Sequence, residues 1–387
     1  MNFFIKTFGC RVNIAESDAL AEKLKDFHNQ TSLKDADIVI IRACAVTSGA
    51  EQGVRQEIRN CARQGKKVFV LGCFLKTIPE AKYVKSDPAL LKYLKEKFSA
   101  EKKPAKKEIQ EKVRAFIKIQ TGCNFNCAFC VTKIIRGKSK NESGGKIIKK
   151  IKELDAAGAQ EIVLTGTNIL LYKNITKLIK NILKESKIAR IRFGSVDPRL
   201  ITSEFINLFK NKRLMPHLHF SLQSGSEKIL KDMGRPIKIK KIKTIAARLR
   251  KINPLFNISA DIIVGFPGET EKDFQKTLKA ISELDLLNIH CFQYSPRPGT
   301  EAARLRQIKN SIVKERFLAA RRLCGLLKNK AKNRIIGKSL TALFECGKNH
   351  IYYGYTPNFL RIKQHAKNNL TGKIKKIIIK KNNIIKE

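Results

Sequence analysis

Cys123, Cys127 and Cys130 follow one another as Cys-x3-Cys-x2-Cys, directly after an apolar run that ends at Ile119. A loop this tight can turn three thiolates inward, which makes a chelate for iron. A cubane four-iron four-sulfur cluster has four corners, so three cysteines leave one iron open to the donor atoms of a small molecule. Two plainer readings stand beside this one: a zinc site short of its fourth ligand, and three neighbouring cysteines with no metal at all. Three further cysteines occupy equivalent places nearer the start, in Phe8-Gly9-Cys10, Arg42-Ala43-Cys44 and Leu71-Gly72-Cys73. Each directly follows a short apolar run, so they can converge on one rim as a second triad, or be three buried strand-end thiols.

The elements that must position these triads are legible as alternating strands and helices. Phe3 to Thr7, Ile38 to Ile41 and Val68 to Leu71 read as strands, with helices over Ala15 to Phe27 and Gly49 to Gln64. That β-α-β-α-β order predicts a parallel sheet whose ligand sites lie at the carboxyl ends of its strands. Residues 99–112, rich in Lys, Glu and Ala, read as a linker with a charged helical turn. From residue 113 the pattern resumes. Val113 to Ile119, Gln160 to Leu164, Arg190 to Phe193, His217 to Leu222, Asn257 to Val264 and Asn288 to Tyr294 are strands with helices between them. About six such units predict a partial parallel barrel with its site at the carboxyl ends, where the Cys123 loop already stands. A helix over Lys309 to Lys332 leads into a last segment with strands at Leu340 to Phe344, Asn358 to Ile362 and Ile374 to Ile379. The expected organisation is α/β: a sheet domain over 1–98, the linker 99–112, a barrel over 113–327 and a small β-barrel over 328–387.

The chain has 387 residues, 43% of them hydrophobic, with 79 Lys and Arg against 33 Asp and Glu, a formal charge of +46. That excess points to a polyanionic partner, although a lysine-rich genome composition accounts for part of it. In the last segment the only acidic residues are Glu345 and Glu387, and Tyr352, Tyr353, Tyr355 and Phe359 lie among its lysines and arginines. They can stack on bases or fill a small core. No apolar run approaches the roughly 20 residues of a membrane helix, and the start reads as a strand, not an export signal; a cytoplasmic protein is expected. In a reducing compartment clustered thiols serve metals more often than disulfides. His217 and His219 lie two apart on one strand, a spacing that metals use, though paired pocket histidines are commoner.

Two cysteine triads and a basic β tail, taken together, resemble the methylthiotransferases of the radical S-adenosylmethionine (SAM) superfamily over nearly the whole chain. The motifs that carry the resemblance are Phe8-Gly9-Cys10-Arg11-Val12-Asn13, the Cys44 and Cys73 turns, the Cys123 loop and Arg136-Gly137-Lys138-Ser139. Further on come Leu164-Thr165-Gly166-Thr167-Asn168, His217 to Ser226, Asp261 to Thr270 and Tyr294 to Thr300. The resemblance implies two 4Fe-4S clusters. Cys123, Cys127 and Cys130 would hold the one that cleaves SAM to a 5′-deoxyadenosyl radical; Cys10, Cys44 and Cys73 would hold an auxiliary one that carries the sulfur to be inserted. It also implies SAM contacts at Gly166, Asn168, Gln223, Ser224 and Gly265, each of which could instead be only a strand-to-helix turn. The tail would be the RNA-binding TRAM domain of the family.

Radical chemistry suits an adenine C2–H or aliphatic C–H, which acid–base groups do not activate near neutral pH. The local wording around Cys10, Cys44 and Arg55 to Arg59 is most similar to the MtaB-type branch, which acts on N6-threonylcarbamoyladenosine beside the tRNA anticodon. Members acting on N6-isopentenyladenosine or on a ribosomal-protein aspartate are the alternatives, as is a non-catalytic iron-sulfur RNA-binding protein. The expected partners are the tRNA anticodon arm, an electron donor and a sulfur source, with the enzyme a monomer. Two departures stand out. Arg42 replaces an uncharged neighbour of the auxiliary triad, and Asp197-Pro198 replaces the commoner Glu-Pro pair.

Overall fold

The computed structural model describes residues 1–98 and 113–385. The linker expected over 99–112 lies outside them.

In the first part, β1 (Asn2–Thr7), β3 (Ile38–Ala43) and β4 (Lys67–Gly72) form the centre of an all-parallel sheet of order β2-β1-β3-β4-β5. Its edges are two-residue strands, β2 (Asn29–Gln30) and β5 (Lys82–Tyr83). Every residue of β3 is buried because both faces are covered. Ile38 and Ile40 pack with Leu20 and Leu24 of α1 (Arg11–Leu24) and Leu90 and Leu94 of α3 (Asp87–Lys97). Val39 and Ile41 pack on the other face with Val54 and Ile58 of α2 (Ser48–Arg63). The first helix begins at Arg11, not Ala15, so it starts directly after Cys10. Buried Asn13 interrupts the apolar periodicity there, and its side chain is occupied with backbone carbonyls.

The second part opens with β6 (Arg114–Thr121), α4 (Thr132–Arg136), β7 (Lys140–Asn141) and α5 (Gly144–Ala156). Then come β8 (Glu161–Gly166), α6 (Ile175–Glu185), β9 (Arg190–Phe193), β10 (Ser195–Val196) and α7 (Ser203–Leu208). It ends with β11 (His217–Gln223), α8 (Glu227–Asp232), α9 (Ile239–Ile252), β12 (Asn257–Val264), α10 (Glu271–Glu283), β13 (Asn288–Gln293) and α11 (Asn310–Asn333). The strands form two four-stranded sheets, β7-β6-β8-β9 and β10-β11-β12-β13, parallel throughout except for the short hairpin partner β7. Gly194 breaks one strand into β9 and β10, and the bridge between Ile191 and Leu214 helps join the two halves of the arc. Alternate residues separate two environments. Ile117, Ile119, Ile162, Leu164, Ile191, Phe193, Leu218, Phe220, Ile258 and Ala260 belong to the core shared with the helices. Their neighbours Arg114, Lys118, Gln120, Glu161, Arg192, His217, His219, Ser259 and Asp261 occupy the opposite face, so the inside of the arc is polar.

The last part is an antiparallel sheet of order β16-β15-β14-β17, made of β14 (Ser339–Lys348), β15 (Ile351–Tyr355), β16 (Arg361–His365) and β17 (Ile374–Ile378). The run Asn358 to Ile362 is mostly a turn, and the tyrosine-rich stretch before it is the strand. Phe359 has φ +67 and stacks between Tyr355, 4.8 Å away, and His217, 4.6 Å away. Tyr355 and Phe359 are therefore docking residues against the second part. Tyr352 packs against the core of the last sheet, and Tyr353 lies beside Arg361. Around Phe359, Arg190 and Arg192 donate to the carbonyls of Tyr355, Thr356 and Pro357, and Asn257 donates to that of Asn358. The turn thus floors the arc at the amino ends of its strands.

Glu161, fully buried, binds this floor together: its carboxylate lies 2.5 Å from Arg114, 2.9 Å from Arg192 and 4.0 Å from Arg190. Burial alone would raise its carboxyl, yet Arg192, Arg114 and Arg190 hold it below the ordinary range. Glu161→Gln is expected to cost about 3–5 kcal/mol, read as a lower urea midpoint, because guanidiniums remain buried without their counter-charge. A depressed folded-state value contributes stability above the unfolded value of about 4.3 and loses it as pH falls through the folded one. The gap between wild type and variant should therefore narrow in acid; a gap independent of pH would contradict this role.

Candidate functional site

The Cys123 loop is shaped by backbone contacts that only certain residues permit. Gly122 has φ +72, and a Cβ there would meet the carbonyl oxygen of Lys138 at 2.1 Å. The Cys123 amide donates to the Gly137 carbonyl, that of Ser139 to Asn124 Oδ1, and that of Ala128 to the Met233 carbonyl. Gln120, which the sequence reading passed over, fastens the loop to the next turn. Its amide nitrogen donates to the Gly122 carbonyl (2.7 Å) and Ser139 Oγ (2.8 Å), while its Oε1 accepts from the Asn168 amide (2.9 Å).

Burial pushes the Cys123 and Cys130 thiols up, and their neighbouring cysteines add to the effect. Thiols so placed ionise readily only against a metal or compensating cations. Cations are at hand: Arg235 lies 3.5 Å from Cys127 Sγ, and Arg199 lies over the ring of Phe125. Both are held by the buried Asp197, at 2.7 Å from Arg199 and 3.1 Å from Arg235. The shortened carboxylate of the Asp197-Pro198 pair thus positions two guanidiniums beside the loop.

Cys10, Cys44 and Cys73 stand just past the carboxyl ends of β1, β3 and β4. Gly9 has φ +89, and a Cβ on it would lie 2.5 Å from Cys44 Sγ, so the first two turns touch. The Asn13 side chain donates to the carbonyls of Phe8 (2.7 Å) and Ala43 (2.8 Å), and the Cys73 amide donates to Ala43 (3.0 Å). Arg42 does not face this triad. Its guanidinium turns to Asp87, at 2.8 Å, and to Glu16, so the cation expected beside the thiols is neutralised elsewhere. Among the described residues no three cysteine sulfurs lie within 4.8 Å of one another. Thiolates on a single zinc sit about 3.8 Å apart, given Zn–S bonds near 2.3 Å. Both donor sets are all-thiol and more widely spread than that, a ligand chemistry that suits a cluster whose irons each take one cysteine.

Arg136 joins the two triads. It ends the short α4 that follows Cys130, and its guanidinium donates to Cys73 Sγ (3.1 Å), Asn13 Oδ1 (2.7 Å) and Glu16 (3.0 Å). Lys118 of β6 also reaches Glu16, at 3.3 Å. A second tie crosses at the other end of the arc, where buried Arg297 pairs with Glu51 and Ser295 meets Ser48. The sheet carrying Cys10, Cys44 and Cys73 is thereby held over the carboxyl ends of the arc's strands.

The five further candidates divide. Asn168 is buried with its Oδ1 lacking a partner, and the adjacent Thr167 Oγ1 is likewise unsatisfied. A polar ligand such as SAM fits those orphans. Gly166 lies against Gln120, where a Cβ would meet backbone and side-chain oxygens at 2.9 Å. Gln223 ends β11 with φ +75. Ser224 is fully buried and its hydroxyl is engaged by Thr277 and the Ser226 amide, so it serves the turn against α10. Gly265 gives room to Val313 of α11, 2.5 Å from where its Cβ would be. His217 bonds Ser259, while His219 and His290 share Asp261 at 2.9 and 3.4 Å. Although burial pushes the Asp261 carboxyl up, those two imidazoles hold it well below the ordinary range.

Known proteins match both parts of the chain that meet here. Residues 117–281 match the Radical SAM superfamily and residues 2–90 match the uncharacterized protein family UPF0004. A Thermotoga maritima protein named threonylcarbamoyladenosine tRNA methylthiotransferase MtaB is 34% identical, covering 88% of this chain and 86% of its own. One of the same name from Rickettsia prowazekii is 34% identical over 93% and 90%. A tRNA-2-methylthio-N(6)-dimethylallyladenosine synthase from Pelagibacter ubique is 33% identical over 81% and 80%. Among solved structures, the radical SAM methyltransferase TsrM from Kitasatospora setae shares the fold with a TM-score of 0.57, at 12% identity over 78% of this chain and 77% of that one.

Arg136→Met removes the tie at the β6 end while leaving Arg297 and Glu51 paired. The loss should be about 2 kcal/mol, since a charge-assisted hydrogen bond contributes on that scale. It should appear as faster hydrogen exchange in α1 with little change in α9; equal protection of α1 in both proteins would show that the contact is idle.

Proposed function

The chain belongs to the radical SAM methylthiotransferases, and on that premise we propose that it inserts a methylthio group at C2 of N6-threonylcarbamoyladenosine next to the tRNA anticodon. The observation that supports the reading is that Arg136, at the end of the helix after Cys130, donates to Cys73 Sγ and to Asn13 Oδ1, which brings the Cys123 loop next to the cysteine rim of the sheet domain. Cys123, Cys127 and Cys130 would hold one 4Fe-4S cluster with an iron left for SAM, and Cys10, Cys44 and Cys73 a second. When bound, the first would supply the electron that cleaves SAM and the second the sulfur to be inserted.

The chain's own residues have separate tasks. Gln120 keeps the Cys123 loop in register with the Thr167-Asn168 turn, whose free oxygens are suited to SAM. Asp197 aims Arg199 and Arg235 at the loop, offsetting the negative charge that three thiolates bring. The sheet domain above and the Phe359 turn below would enclose the polar chamber inside the arc and limit water there, which would protect a carbon radical from quenching. The basic last segment would grip the anticodon arm, mainly through phosphates. A tRNA substrate would fit a cytoplasmic enzyme, and no helix of the described residues is long and apolar enough to cross a membrane. An electron donor and a sulfur source are required as partners.

Nucleoside mass spectrometry of tRNA from cells with and without the gene tests the substrate: 2-methylthio-N6-threonylcarbamoyladenosine should vanish on deletion. Loss of the isopentenyl counterpart instead would transfer the enzyme to the reaction named for the Pelagibacter relative. The two-cluster arrangement has its own measurement. Cys73→Ala should lower iron from about eight to about four per chain, keep 5′-deoxyadenosine formation and abolish sulfur insertion. Full methylthiolation by that variant would remove Cys73 from the sulfur site.

A further inference from the structure

Four guanidiniums stand close together at the floor of the chamber, and only some of them are neutralised. Arg114 pairs with Glu161 and with Glu345 at 2.7 Å, Arg192 pairs with Glu161, and Arg190 is tied to backbone and to Glu161. The nearby Asp261 is taken by His219 and His290. Arg11 is the fourth. It comes from the other domain, on the first residue of α1, and its guanidinium lies 5.8 Å from the Phe359 ring centroid, which Arg114 and Arg192 approach to 5.8 and 5.0 Å. Among the described residues Arg11 has neither a hydrogen bond nor an ion-pair partner, and Glu161 and Asp261 act on it only at longer range.

A half-buried cation that adjoins two others and lacks a counter-ion is an anion receptor in waiting. The planar fork of arginine matches a carboxylate. We propose that Arg11 receives the carboxylate of the threonylcarbamoyl group on the substrate adenine and so selects an acidic N6 substituent over an apolar one. This rests on the substrate reading given above. An isopentenyl group has no charge to offer, and placing it here would leave Arg11 unpaired beside two like charges. Because Arg11 directly follows Cys10, the same contact would fix the modified base relative to the triad that is to supply sulfur.

The test uses the reconstituted holoenzyme and three anticodon stem-loop RNAs carrying N6-threonylcarbamoyladenosine, its neutral methyl ester, or N6-isopentenyladenosine. Dissociation constants by fluorescence anisotropy and kcat/KM by nucleoside mass spectrometry are measured for wild type, Arg11→Met and Arg11→Lys. Wild type should prefer the acid to the ester by at least about 30-fold, the scale for truncating one partner of a buried charge pair. Arg11→Met should collapse that ratio toward one, and Arg11→Lys should restore part of it. A wild-type ratio near one, with the acid still methylthiolated, overturns the role of Arg11 and keeps the substrate; this arm needs no variant to fold. An unchanged ratio in Arg11→Met also overturns it, whether both RNAs suffer alike, as from a structural role, or only the KM for SAM rises, as from contact with the methionine carboxylate. Turnover of the isopentenyl RNA alone overturns the substrate reading and the proposal together.

Discussion

The side chain of Arg136 is where the two halves of the chemistry meet. One guanidinium, placed by the short helix after Cys130, donates at once to a thiol of the upper triad, to the asparagine that clamps the Phe8 and Ala43 turns, and to Glu16. Planarity makes this possible, since a fork of fixed geometry can address three acceptors in one plane, whereas an ammonium could not hold the same set. Among the described residues the sheet domain and the arc share no continuous β-sheet, so their relative placement depends on the packing of α1 against β6 and β8 and on such side-chain ties. The pair Arg297 and Glu51 does the same at the far end. Between the two ties, the strand ends that carry Cys10, Cys44 and Cys73 lie over the carboxyl ends of the arc.

Much of this was legible in the chain because period and turn chemistry agree. Asn257–Val264 alternates apolar and polar residues, and its strand matches the expected bounds. The places of Cys10, Cys44 and Cys73 at strand ends were legible because each follows an apolar run and a glycine or alanine. What escaped were contacts between residues far apart in sequence. Nothing local marks Arg136 as a partner of Cys73, or Asp197 as the holder of Arg199 and Arg235. The start of α1 was missed because Cys10 offers no side-chain cap and Asn13 is buried among apolar neighbours. Phe359 and Leu360 imitated a strand, but a φ of +67 at Phe359 makes the segment a turn whose ring belongs to the neighbouring domain. For SAM contacts the sequence supplied glycine turns without separating roles: Gly265 makes room for α11, while the Thr167-Asn168 turn keeps unpaired oxygens.

The large positive charge divides into two populations. Arginines inside the molecule are mostly committed: Arg42 to Asp87 and Glu16, Arg316 to Glu269, and Arg114, Arg190 and Arg192 to Glu161. Other acids pair with surface lysines, as Glu22 does with Lys150 and Glu185 with Lys152. Each such pair cancels one charge against one, so the excess of +46 belongs to the remaining lysines and arginines and is what a polyanion would meet.

The Phe359 turn gives the last segment a second duty. Its carbonyls accept from Arg190, Arg192 and Asn257, and its ring is stacked against His217. A chain cut before β14 would lose more than a nucleic-acid grip. It would uncork the arc and take from two interior guanidiniums their backbone acceptors, leaving Arg190 and Arg192 with Glu161 alone. Shortened forms of this protein are thus poor instruments for separating RNA affinity from turnover, and a swapped tail from another family member would have to match the barrel as well as the RNA.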